Sequence, residues 1–177
     1  MKRFVKVLSL MLATFMAVTV FSVNSCAMSA AGEAHKRQLT TDEIKTIYTI
    51  FNAKEYAKMY PDVKNELGED EMTLFNHFVT FGIWEQRQPS VAFNVDVYAS
   101  RNPDLQPLYG DDIVGYYIHY VTTRKTEGWR PIPTKTNALW YNCTIYSVYD
   151  FVKGQTGPKA GAIPVQTLNY HPGVELQ

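Results

Sequence analysis

One stretch of this chain is written twice: residues 51–89 recur without a gap as residues 93–131, at a constant offset of 42. Phe51, Asn52, Tyr56, Pro61, Asp62, Gly68, Asp70, His77, Glu85 and Pro89 return as Phe93, Asn94, Tyr98, Pro103, Asp104, Gly110, Asp112, His119, Glu127 and Pro131. A repeat of this length is one supersecondary unit that cannot bury its apolar face alone, so the copies must stack. The pattern predicts a scaffold or binding surface before it predicts a catalyst.

The start of the chain indicates a compartment. Lys2, Arg3 and Lys6 precede an apolar run from Val7 to Val23, and small residues follow from Ser25 to Gly32. A positive flank, an apolar middle and a small-residue junction are the layout of a secretory signal peptide, and the run is short for a membrane span. Residues 1–31 are therefore read as a leader. Ser29 and Ala31 suit a cut after Ala31, while Ser25 and Ala27 allow an earlier one. Val23-Asn24-Ser25-Cys26 loosely matches a bacterial lipobox, which would lipidate Cys26 and anchor the chain at a surface.

Formal charge is zero over the whole chain, and removing the leader leaves 14 basic against 17 acidic side chains, a net of −3. With no basic stripe to neutralise phosphates, nucleic acid is not an expected partner. Without Cys26, Cys143 is the one cysteine remaining, so no internal disulfide is expected and the core must hold the fold.

Residues 32–50 begin with a small, polar lead. Thr40 with Glu43 then forms a capping box before Ile44, Ile47 and Tyr48, which predicts a helix over about 41–50. In the first unit Asn52 caps a short helix ending by Tyr60, Pro61 opens the next, Gly68 stops it, and Asp70 starts a longer helix with Gly82 as its C-cap. The second unit follows the same plan, with Arg124 where Gly82 stood. Residues 132–177 differ: an aromatic patch from Trp140 to Phe151 reads as short strands or an extended wrap, and the Gly- and Pro-rich stretch from Gly154 reads as a loosely ordered tail. The expected fold is all-α, two tandem helix-turn-helix repeats with a leading helix and an aromatic, partly irregular C-terminal segment.

Phe51-Asn52-Ala53, Tyr56, Tyr60-Pro61-Asp62-Val63, His77-Phe78, Phe81-Gly82 and Glu85-Gln86-Arg87 together resemble a repeat of secreted and surface proteins from Gram-positive, clostridia-like bacteria. In that family the units end in Glu-Gly-Arg, often accompany catalytic or wall-associated domains, and identify no active site. The resemblance covers residues 51–131. It departs in the second unit, where Thr123-Arg124 replaces the aromatic-Gly pair and Trp129 takes the position of Arg87. Tyr149-Asp150-Phe151 looks like the lead-in to a third, truncated unit.

Few residues invite chemistry. His77 and His119 each precede a Glu by eight residues, yet recurrence in both units favours a packing role, a half-buried His bonded across the repeat interface. Asp62 and Asp104, each after a proline, read as helix caps. The acidic runs lack the alternating ligands of a calcium loop, and no metal or cofactor site is expected. Cys143, with His171 and Asp150 as conceivable partners, matches no nucleophile motif, so no catalytic residue is assigned. The aromatics remain: Trp84, Trp129, Trp140 and Tyr116 either fill a core short of Leu and Ile or stand exposed, where rigid rings suit sugars or protein hot spots. The function expected is a noncatalytic secreted or cell-surface interaction module, taking cell-wall glycan or a surface protein on a face carrying Trp84 and Trp129. The alternatives are a secreted hydrolase centred on Cys143 or His77 and Glu85, and an accessory fragment that assembles with a larger surface protein.

Overall fold

A computed structural model describes residues 28–171. Residues 1–27 of the leader expected over 1–31, the lipidation of Cys26 and the last six residues lie outside the described residues, while residues 28–31 of that leader lie within them. Among the described residues helices dominate, with one sheet of two short strands. Among the described residues no helix is long and apolar enough to cross a membrane.

The polar lead is a helix rather than a mobile stretch. Helix α1 (Ala30–His35) is capped by Ser29, whose Oγ accepts from Gly32 N at 3.0 Å. The His35 ring stacks on Tyr149 at 3.9 Å between centroids, a partner far away in sequence that local composition could not reveal. Helix α2 (Thr41–Tyr48) starts at the expected capping box: Glu43 N donates to Thr40 Oγ1 and Thr40 N donates to Glu43 Oε2. Arg37 grips the Glu43 carboxylate with two nitrogens, at 2.9 and 2.6 Å, and holds it down to about pKa 2.

In the first unit α3 (Ala53–Met59) is capped by Asn52, α4 (Pro61–Leu67) opens on proline, and α5 (Glu71–His77) is capped by Asp70. Gly82 is not a C-cap. The helix runs on through a π-helical turn over Phe78–Gly82, and a Cβ at position 82 would overlap the Tyr56 hydroxyl. The glycine is required by close approach.

The second unit supplies α6 (Val95–Arg101), α7 (Gln106–Tyr109), α8 (Ile113–Thr122) and α9 (Arg124–Glu127). Asn94 and Asp112 repeat the caps of Asn52 and Asp70. Pro103 opens a turn instead of a helix. Pro107 has no N–H to give the Pro103 carbonyl, so a helix begun at Pro103 would lose that bond, and α7 starts at Gln106 with Pro107 in its first turn.

Each unit closes on itself: Asn52 N donates to Pro89 O at 2.9 Å, and Asn94 N donates to Pro133 O at 2.8 Å. Rings weld the units together. Tyr117, fully buried, lies 4.8 Å from Phe93 and 6.1 Å from Phe78, and its hydroxyl donates to the Arg87 carbonyl at 3.3 Å. Each such buried ring contributes about 2 kcal/mol of transfer free energy, so the expected Tyr- and Phe-rich core is the main cohesive force.

After the repeats come α10 (Lys135–Trp140), β1 (Thr144–Ile145) and β2 (Gln166–Thr167), with the strands antiparallel. The Tyr146–Phe151 stretch forms no third unit; a 3-10 turn at Val148–Asp150 packs on α6 instead. The tail beyond Gly154 is held as well, through Gly154 N to Pro107 O, Gly157 N to Gln106 Oε1, and the buried Leu168.

Candidate functional site

The recurring polar residues form one device in each unit. Tyr56 Oη meets His77 Nδ1 at 3.0 Å, and Tyr98 Oη meets His119 Nδ1 at 2.8 Å. The histidines therefore bond within their own unit, not across the interface between units. Burial, assisted by the Arg87 charge, depresses His77 to about pKa 4; burial and Arg130 also lower His119. Asp62 and Asp104 are not the expected caps, since the helices that follow Tyr60 and Leu105 start without a side-chain cap; instead Arg87 Nη2 donates to Asp62 at 2.8 Å and Arg130 Nη2 to Asp104 at 2.9 Å. With both partners assigned twice, these groups brace the fold at equivalent places.

Two of the four aromatics proposed for an exposed face are interior. Trp84 and Tyr116 are buried, Trp84 under Tyr149, whose hydroxyl donates to the Trp84 carbonyl at 2.8 Å. Tyr116 Oη donates to Gly110 O at 3.0 Å. With Trp84 interior and Trp129 in solvent, the two do not share a binding face.

The other two stand out. Trp129 is 65% exposed and Trp140 61%, and Tyr141 beside it is 62% exposed. Trp140 lies 4.6 Å from Tyr170, itself exposed, brought there by Tyr170 N donating to Asn142 Oδ1 at 2.6 Å. Arg101, the last residue of α6, donates to Ile132 O at 3.2 Å and to Asn137 Oδ1, and its guanidinium covers the Tyr141 ring at 5.1 Å. Arg130 supports the Trp129 ring at 4.4 Å. Trp129 and Tyr141 are thus each backed by a guanidinium, while Trp140 rests against Tyr170, which keeps rigid aromatic area at the surface at low entropic cost. Nothing in the spacing of Arg101 or Tyr170 marked them, because both act through contacts made by distant segments.

A polar cleft of about 290 Å³ lies between the units and the β1–β2 hairpin, lined in part by Glu85, Gln86, Asp96, Lys135 and Gln166. Burial raises the Asp96 carboxyl to about pKa 7. That carboxylate accepts from Val148 N at 2.8 Å and, with the Gln86 amide nitrogen turned inward, from Gln86 at 2.8 and 3.2 Å. It fastens the C-terminal segment to the second unit. Gln86 occupies a left-handed backbone conformation, φ 57°, where a glycine would be unstrained.

The Cys143 thiol donates to the Tyr141 carbonyl at 3.7 Å, while Asp150 pairs with Lys159 at 3.1 Å. Each group is thus engaged by a neighbour other than its conceivable partners. Among the described residues no group of three or more His, Cys, Asp or Glu side chains could hold a metal ion. No family model, curated protein or solved structure matches this chain.

Proposed function

We propose that this protein is a noncatalytic interaction module of the secreted or cell-surface type, and that Trp129, Trp140, Tyr141 and Tyr170 carry its binding face. The observation that supports this reading is where the large aromatics go. The core takes Trp84, and most of the described tyrosines and phenylalanines lie in it or pack against it, yet two tryptophans stay in solvent, with arginines backing Trp129 and Tyr141. Exposed flat rings beside Arg101, Asn137 and Asn142 suit a sugar, whose apolar face stacks while its hydroxyls take hydrogen bonds. The ligand class is cell-wall glycan, consistent with the resemblance of the repeats to those of Gram-positive surface proteins.

The test is co-sedimentation of the protein with isolated Gram-positive cell walls, alongside a Trp129→Ala, Trp140→Ala double variant with unchanged helical circular dichroism. Saturable binding should weaken at least tenfold in the variant, the loss that about 1.4 kcal/mol represents. Equal binding by both proteins would remove the face, and no binding by either would remove the glycan.

A further inference from the structure

The sequence offers two junctions for removal of the leader, and their local composition does not choose between them. Ser25 and Ala27 stand third and first before one, Ser29 and Ala31 before the other. The fold makes them unequal. A peptidase reads an extended segment before folding, but only one of the two cuts leaves a chain able to form α1 as it stands.

Residues 28–35 are built into the structure. Met28 packs against the main core. Ser29 N and Ser29 Oγ both donate to Glu85 Oε1, at 2.8 and 2.9 Å, while Ser29 Oγ also caps α1 at Gly32 N. Gly32 is buried against Met28 and Glu85. At the far end His35 stacks on Tyr149 and its Nε2 lies 3.1 Å from Asp111.

A cut after Ala31 removes Met28, the Ser29 cap and the first two residues of a six-residue helix. It takes both Ser29 donors from Glu85 and strips from Gly32 the cover that Met28 provides. What remains of α1, without its cap, is too short to persist alone. A cut after Ala27 keeps every one of these contacts. It leaves the new ammonium on Met28, one residue from the amide that bonds the Glu85 carboxylate, where opposite charges attract.

We propose that the leader is removed by hydrolysis of the Ala27–Met28 peptide bond, water supplying a carboxylate to Ala27 and an ammonium to Met28, so that the mature chain begins at Met28. This rests on the secretory reading of the leader. Ser25 and Ala27, close after the end of the apolar run at Val23, then supply the small side chains the peptidase reads.

The experiment is expression of the full chain in a Gram-positive secretion host, with intact mass and amino-terminal sequencing of the product. The expected product starts at Met28. A start at Gly32 overturns the junction, as does a start at Cys26 carrying a diacylglyceryl group. A chain still intact from Met1 overturns the secretory reading itself, an outcome distinct from cleavage at the wrong bond. Two variants separate processing from folding. Ala27→Leu should accumulate uncut chain. Ala31→Leu, at an exposed position, should be processed like the parent. The reverse pattern overturns the proposal.

Discussion

The two units share a plan and differ at one corner. In both, a Tyr–His bond and an Asp–Arg pair brace the helices, and in both the chain turns through a left-handed residue, Gln86 at φ 57° and Gly128 at φ 65°. The offset of 42 sets Trp129 against Arg87, but the guanidinium that meets Asp104 belongs to Arg130, one residue later. By the closing bond the slip has grown to two residues, from Pro131 to Pro133. The interaction is kept while the register moves. The residue left over at the slip, Trp129, is one of those that face solvent. A structural requirement met by a neighbouring residue thus releases a side chain for the surface.

The sharpest way to break this equivalence is to remove each arginine. The Arg130 side chain is only 2% exposed and bonds Asp104, Glu127 and Asn102, whereas Arg87 is 19% exposed, bonds Asp62 and stacks on Tyr60. Arg130→Ala should cost about 3 kcal/mol and Arg87→Ala about half that, since charged hydrogen bonds lost from a more enclosed site cost more. Urea denaturation of both variants decides it. Equal losses would mean that the second unit's network adds nothing to a single pair.

Next in size is the glycine of the first unit. Gly82→Ala drives a methyl group into the Tyr56 hydroxyl and should cost about 2 kcal/mol by overpacking. The equivalent Arg124→Ala, where the side chain rests on the Tyr120 ring, should fall within about 0.5 kcal/mol of the parent. Similar midpoints for the two would refute the close-approach explanation of Gly82.

What could be read ahead of the structure was local. Asn52, Asn94, Asp70 and Asp112 cap their helices, and Thr40 with Glu43 closes its box, because each needs a partner within three residues. The failures were long-range. Gly82 looked like a helix stop because the Tyr56 ring that forbids a side chain there is contributed by another helix. The tail looked loose because Gln106 and Pro107, which hold Gly157 and Gly154, lie in the second unit. The candidate face was half legible. Composition showed a surplus of aromatics, but Trp84 and Trp140 differ in burial through neighbours that periodicity does not report.

Backbone strain offers a smaller test. Gly128→Ala should cost about 1 kcal/mol, because a β-carbon is disfavoured at positive φ. Gln86→Gly relieves the same strain in the first unit but removes the amide that bonds Asp96 and Ser147. Denaturation midpoints should show it gaining no stability. A clear gain would mean that the Gln86 bridge contributes little and that the strain there is uncompensated.

The smallest expected difference is in the histidines, and it follows from what each unit does with its glutamate. Glu85 is turned toward Ser29, whereas Glu127 lies 3.8 Å from His119 Nε2 as well as bonding Arg130. A carboxylate at that range favours imidazolium and works against burial. His119 should therefore titrate above His77, with both below the usual histidine range. Glu127→Gln should lower His119 and leave His77 unmoved in a two-dimensional NMR titration of the ring signals. Because the fold holds His77 neutral, its contribution to stability is complete above about pH 6.5. It is lost as pH falls toward about 4, where folded and unfolded chains bind the proton alike. If His77 titrated above His119, the different placement of Glu85 and Glu127 would not be what distinguishes the two units electrostatically.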